Sequence, residues 1–375
     1  MTLRAYKGAS LFDGRTLVKG HAALVEQDRY VGAVAEDALP ADVSIIPLAG
    51  GVLTPGFVDL QVNGGGGVMF NDETTVAGLA TVAAAHRATG TRAILPTLIT
   101  DTPERTRLAV DAVVSAIEQD VPGIIGLHLE GPHLDPRRKG AHDEALIRPM
   151  EDRDLEFLSE AAVRLPNLMV TIAPESVSVE QIRQLAAAGV ILALGHSDCS
   201  AETAQEALCA GAVCVTHLFN AMSQMSSRAP GLVGATLATH VKAGLIADGI
   251  HVHPTAIRAA VAAKGAERVF LVTDAMATVG SDIGEFQLSG RRVLRHSGRL
   301  TLEDGTLAGA DLTLTRALQV MTGEVGLPLE QALAMATGVP AGVLRLPRGV
   351  GVLEPGGPWT AIHLDEHLRY SELPD

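Results

Sequence analysis

The sequence predicts an α/β protein: a (β/α)8 barrel of the TIM type carrying a small β-sandwich formed by both termini. Three observations point there. Eight short apolar runs recur through the middle of the chain, most of them separated by helix-like segments. Eight buried strands alternating with helices imply a parallel sheet that closes on itself. Both ends instead alternate polar and apolar residues between Gly and Asp turns, in the manner of antiparallel strands. The third observation is the length of 375 residues, which suits a barrel of about 250 residues with a small companion.

Residues 1–53 contain LRAYKGASLFDGRTLVKG and HAALVEQDRYVGAVAE, read as short strands and assigned to the first part of the sandwich. Residues 54–346 are assigned to the barrel. Its strands are expected at 51–62, 91–100, 123–131, 167–175, 189–197, 212–220, 242–251 and 268–276. The segments between them include TVAGLATVAAAHRATG and PERTRLAVDAVVSAIEQ, which open with Thr or Pro as helices do. Residues 347–375 return to a strand pattern and complete the sandwich, though the segment looks short by one strand. An open, doubly wound sheet is the rival architecture. The absence of GxGxxG after the first strand counts against it.

Composition narrows the function. Hydrophobic residues make up 47% and aromatics only 3%, so the core must be built from Ala, Val, Leu and Ile. The formal net charge is −14, from 29 basic and 43 acidic residues. That excludes a general nucleic-acid binder, which would show a basic face. Cys199, Cys209 and Cys214 are odd in number and form no CxxC, so reduced thiols in a cytoplasmic protein are expected. The N-terminus lacks the apolar core of a signal peptide, and no stretch of about 18 apolar residues predicts a membrane span.

The polar residues sit at informative positions. Gln61 and Asn63 end the first run, Glu130 the third, His196 the fifth, His217 the sixth and Asp274 the eighth. In a barrel these ends converge on one face, where active sites form. Any one of them alone would read as a satisfied core group. Several together, buried and unpaired, would cost several kcal/mol each, and a cation removes that cost. Two His and one Glu make a sufficient ligand set for a catalytic divalent metal with one position left open. Zinc suits Glu130, His196 and His217 best; iron, cobalt and manganese are also compatible. Asp274 is the candidate base, and a fourth-ligand role is compatible with that. His142, in the loop after Glu130, and His251, at the end of the seventh run, are candidate substrate contacts. His133 is a weaker one, and His128 is expected to line the barrel.

These residues lie inside motifs. PGFVDLQVNGGGGVMFND (55–72), HLEGPHL (128–134), KGAH (139–142), GHSD (195–198), THLFNAM (216–222), SRAPGLVGA (227–235), IADGIHV (246–252), LVTDAM (271–276) and LAGADLT (307–313) occur in that order. The set resembles the N-acetylglucosamine-6-phosphate deacetylases of the amidohydrolase superfamily, across roughly residues 1–350. The resemblance implies hydrolysis of the acetamide of N-acetylglucosamine 6-phosphate to glucosamine 6-phosphate and acetate. It implies one divalent metal ion per subunit on Glu130, His196 and His217, with Asp274 moving the proton. Substrate contacts carry over to Ala141, His142, Asn220, Ala221, Arg228, His251 and the stretch Leu307, Ala308, Gly309. A homodimer is implied, with Arg228 the candidate to help close the phosphate site. Many relatives in the superfamily place His-x-His at the end of the first strand to hold a second metal. Here Gln61-x-Asn63 occupies that place, so a vestigial second site is expected, amides being poor ligands beside imidazole and carboxylate. An N-acetylgalactosamine-6-phosphate deacetylase or another amidohydrolase is the near alternative. A non-catalytic sugar-phosphate sensor is the remote one, and it requires a broken metal shell that the sequence does not show.

Overall fold

The computed structural model describes residues 3–346 and 348–374; Pro347, the expected boundary residue, lies outside them. Eight parallel strands form the central sheet in chain order: Phe57–Val62, Thr91–Ile99, Leu127–Glu130, Leu168–Ile172, Ile191–Leu194, Cys214–Val215, Lys242–Leu245 and Val269–Leu271. Each falls within one of the expected runs. Strictly sequential order with parallel pairing is what right-handed strand–helix–strand units produce. The first and last strands meet through a parallel bridge between Val62 and Ala275 and the bond from Asp274 N–H to the Gln61 carbonyl at 3.0 Å. A side-chain clasp reinforces this seam. The buried Asp59 carboxyl lies 2.5 Å from Thr273 Oγ1 and takes the Gln61 N–H at 3.2 Å.

Helices wrap this sheet, and their ends follow the local chemistry. Thr75, Thr102, Ser178 and Ser200 cap the helices Val76–Arg87, Pro103–Glu118, Val179–Ala187 and Ala201–Ala210, each accepting a backbone N–H from the first turn. The core between strands and helices is small and branched, from Val58, Leu95, Leu127, Val170, Leu192 and Val215 to Leu271. That is the consequence of having so few aromatics.

Two further sheets are built from the chain ends, the first from N-terminal strands and the second from both. One orders Arg29–Ala35, His21–Glu26, Arg4–Lys7 and Ser44–Pro47; the other orders Tyr370–Ser371, Ala361–Leu364, Val52–Pro55, Ser10–Phe12 and Leu17–Val18. Tyr6, Leu11, Val25, Tyr30 and Leu53 form the apolar layer between them, where Trp359 stacks on Tyr6 and Tyr30. The short C-terminal segment thus contributes two strands to this layer.

One further element follows the barrel strands. After the eighth strand, Glu285–Leu288, Arg291–His296, Arg299–Leu302 and Leu307–Ala310 make a four-stranded antiparallel meander. Leu288, Val293 and Leu300 pack it against Ile99 and Met276 beside the mouth of the barrel. The signal was present in GEFQLSGRRVLRHSGRLTLEDGTLAGA, where Gly290, Gly298 and Gly305 punctuate alternating residues. No described helix is long and apolar enough to cross a membrane.

Candidate active site

Glu130 is the last residue of the third strand, and its side chain is buried with those of His196 and His217 just past the fifth and sixth. Asp274, beyond the eighth, is partly exposed to the cleft. His196 (φ +47°), His217 (+26°) and Asp274 (+51°) are all left-handed, a conformation that costs about 1–3 kcal/mol in a non-glycine residue. Three strands therefore end on the same strained step, which breaks the in–out alternation and turns each side chain to the barrel axis. Gly195 makes the turn before His196 feasible, since a Cβ there would lie 2.9 Å from Thr171 Cγ2 and 3.1 Å from Thr216 Cβ.

The donors converge tightly. Glu130 Oε1, His196 Nε2 and His217 Nε2 are separated by 3.3, 3.1 and 3.0 Å. Three ligands of a tetrahedral cation, each about 2.0–2.1 Å from it, stand about 3.3–3.4 Å apart. The triangle fits such an ion with only slight expansion. His142 also comes close, and Glu130, His142 and His196 offer donor atoms within 4.8 Å of one another. Ring tautomers separate the two sets. His196 Nδ1 lies 2.8 Å from the Arg138 carbonyl, which can only accept, so its Nε2 carries the lone pair that a metal needs. His142 Nδ1 instead receives the Thr100 N–H at 3.3 Å and lies 2.8 Å from the Thr100 hydroxyl, which can also donate to it. Its proton is then on Nε2, 3.5 Å from Glu130 Oε2, and that nitrogen is a hydrogen-bond donor. Glu130, His196 and His217 form the candidate metal set.

The electrostatics agree. Burial alone would raise the Glu130 pKa, but hydrogen bonds from His142, His196 and His217 hold it well below the usual range. His142 is pushed down to about 4, by burial and then by the charge of His196. Asp274 is pushed up to about 6, by burial and then by Glu130, against the pull of His217 and of Asn63.

The first strand supplies amides to these carboxylates. Gln61 Nε2 lies 3.0 Å from Glu130 Oε1 and 3.2 Å from Asp274 Oδ1, and Asn63 Nδ2 lies 2.6 Å from the same Asp274 oxygen. Two neutral donors thus point at the carboxylates from the positions where a second cation would need ligands.

Above this floor opens a cleft of about 240 Å³. Ala141, His142, Asn220, Ala221, His251, Leu307 and Gly309 all line it. Ala308 is buried behind the wall in the meander's apolar layer. Arg228 is exposed on the loop after the sixth strand and does not line its own chain's cleft. His133 is buried with Nδ1 3.1 Å from the Arg148 carbonyl and also stands outside it. His128 is packed in the barrel between the Leu60 carbonyl and Thr171 Oγ1. Ile99, Ile246, Met276 and Thr306 line the cleft without having been singled out. The three apolar ones look like ordinary core positions in sequence. Thr100, which sets the tautomer of His142, lay unmarked at the end of the second run.

Comparison with known proteins follows this geometry. The amidohydrolase family model matches residues 52–374. An N-acetylgalactosamine-6-phosphate deacetylase from Shewanella sp. (strain ANA-3) is 44% identical over 88% of this chain and 83% of its own. An N-acetylglucosamine-6-phosphate deacetylase from Haemophilus influenzae is 32% identical over 91% and 89%. The crystal structure of the N-acetylglucosamine-6-phosphate deacetylase from Pasteurella multocida superposes with a TM-score of 0.94 at 34% identity, over 98% of this chain and 97% of that one. A variant of the Mycobacterium smegmatis enzyme, solved in complex with N-acetyl-D-glucosamine 6-phosphate, superposes with a TM-score of 0.91 at 32% identity, covering 98% and 96%. On the matched model, these relatives and the converged site, the chain belongs to the amidohydrolase family.

Proposed function

We propose that this enzyme hydrolyses the acetamide of N-acetyl-D-glucosamine 6-phosphate, giving D-glucosamine 6-phosphate and acetate. The observation that carries the reading is the juxtaposition of Asp274, with its raised pKa, and the Glu130–His196–His217 triangle on the floor of one cleft. The names of the full-length relatives supply the substrate class.

A divalent cation on Glu130, His196 and His217, zinc by the chemistry of the ligands, would polarise the acetyl carbonyl and acidify water. Asp274 accepts the proton of the attacking water on its cleft-facing carboxylate and returns it to the sugar nitrogen as the C–N bond breaks. Its pKa near neutrality suits both directions of transfer. His142, neutral and with its proton on Nε2, donates a hydrogen bond to the carbonyl oxygen as negative charge builds there. Gln61 and Asn63 hold the two carboxylates apart and oriented.

No Lys or Arg is found among the described residues lining the cleft, so the 6-phosphate needs other donors. Backbone N–H groups near Asn220 are the local candidates, and His251 is a contact to the sugar. Arg228, exposed on its loop, fits the role of reaching the cleft of a second copy in a homodimer. The reduced cysteines and the phosphorylated sugar suit a cytoplasmic enzyme of amino-sugar breakdown and recycling.

The galacto epimer is a specific second reading, because the Shewanella relative at 44% identity is named for it and the Haemophilus one stands at 32%. Acetate release from both 6-phosphates and from both unphosphorylated sugars, together with metal analysis, tests the whole proposal. A kcat/KM at least tenfold higher on the gluco phosphate supports the first reading, and the reverse ratio selects the second. Release from neither phosphate by metal-replete protein would sink both.

A further inference from the structure

A carboxylate–imidazole pair apart from the metal set stands at the cleft, with His251 in its lining. Asp248 and His251 stand at the end of the seventh strand, on the turn Asp248-Gly249-Ile250-His251, and both side chains are 7% exposed. Asp248 Oδ1 accepts the N–H groups of Ile250 and His251, each at 2.8 Å. Its Oδ2 lies 2.6 Å from His251 Nδ1. One carboxylate therefore holds three donors and ties a ring to the backbone that carries it. Burial pushes the Asp248 pKa up, but the hydrogen bond and charge of His251 and the two N–H groups hold it below the usual carboxylate range. The group that faces Nδ1 is thus an anion, which can only accept, so Nδ1 carries a proton. Nε2 is left as the ring nitrogen available to a ligand, in a residue that lines the cleft.

We propose that Asp248 is a positioning residue for substrate binding, fixing the ring orientation and the Nδ1–H form of His251 so that Nε2 meets the phosphorylated hexosamine. The inference rests on the deacetylase reading for the identity of the ligand. The tautomer it assigns does not depend on that reading.

An amide cannot replace this carboxylate. Asp248→Asn has one accepting oxygen and one donating NH2. If the oxygen keeps the two backbone N–H groups, the NH2 faces Nδ1 and drives the ring proton to Nε2, inverting what the cleft is offered. If the oxygen keeps Nδ1–H instead, the NH2 opposes two backbone donors and the turn loosens.

The test is a double-mutant cycle of Asp248→Asn and His251→Gln in the metal-loaded enzyme, read as kcat, KM, metal content and melting temperature. Asp248→Asn is expected to raise KM by about tenfold, the loss of one hydrogen bond to the substrate, with kcat changed less than about threefold. The same change made on the His251→Gln background should leave KM unaltered. ¹⁵N-resolved imidazole spectra should show the His251 proton on Nδ1 in the wild type and on Nε2 in Asp248→Asn. An undiminished KM effect on the His251→Gln background, or a lower melting temperature with KM unchanged, would overturn the proposal and leave Asp248 a structural turn residue. A wild type with the Nδ1–H spectrum but no deacetylase activity would reject the substrate assignment while leaving the pair as assigned.

Discussion

Asn63 Nδ2 lies 2.6 Å from Asp274 Oδ1, so an amide from the first barrel strand grips the carboxylate at the end of the last. This bond spans the seam of the barrel, and it opposes the burial that drives Asp274 toward protonation. Removing it has a defined sign. Asn63→Ala should raise the pKa of Asp274 further, so the ionised base becomes scarcer in acid. The acid limb of the kcat/KM profile should move to higher pH. At pH 6 the rate should fall by about fivefold relative to the wild type, with the gap closing above pH 8. An unmoved limb would mean that Asp274 does not control it.

Asp274→Asn should keep the metal and lose turnover. The amide preserves shape and neighbours but cannot accept a proton from water, and general base catalysis contributes about 10²–10⁴-fold. Metal analysis with single-turnover acetate release checks both halves. A near-normal rate would remove Asp274 from the proton path.

His217→Ala should lose metal as well as activity. It deletes one corner of a triangle whose edges are 3.0–3.3 Å and leaves two ligands, too few for a tight site. His142→Ala should differ, holding metal while kcat falls by about 10²-fold or more from the lost donor. Equal metal loss in both variants would place His142 among the ligands and contradict its assigned tautomer.

The Asp59 clasp predicts a pH-dependent stability that needs no metal. Burial pushes the Asp59 pKa up to about 7, against hydrogen bonds from Thr273 and Gln61 and with a further rise from the Asp274 charge. A raised carboxyl pKa means that the folded state holds the proton more tightly than the unfolded chain, where it is lost near pH 4. The stabilisation is complete below about pH 4 and disappears as pH rises through about 7. In the protonated form the carboxyl can donate to Thr273 Oγ1, and an amide can do the same. Melting of chelator-treated Asp59→Asn should therefore lose part of the wild-type decline between pH 5 and pH 8. An identical decline in both proteins would show that Asp59 is ionised throughout.

The sequence by itself determined the strand order and the addresses of the polar residues, because strand and helix periods and capping residues are local properties that a linear chain records. It placed Glu130, His196, His217 and Asp274 at the ends of apolar runs, and a barrel brings such ends to one face whatever its details. The four-stranded meander lies inside the span 54–346, and alternation alone does not say that its strands leave the parallel sheet. The rest belongs to tertiary structure, since it depends on which atoms meet across the barrel. The Thr100 N–H opposite His142 and the Arg138 carbonyl opposite His196 decide which imidazole nitrogen carries a proton, and hence which ring can hold a metal. Residues separated by 42 and 58 positions set those tautomers, and no local pattern encodes the encounter. Similarly, Gln61-x-Asn63 could be read from sequence as a weak pair of ligands, but only folding showed its amides turned onto Glu130 and Asp274. A side chain's hydrogen-bonding role is fixed by the donor or acceptor it faces, and the closed barrel alone supplies that neighbour.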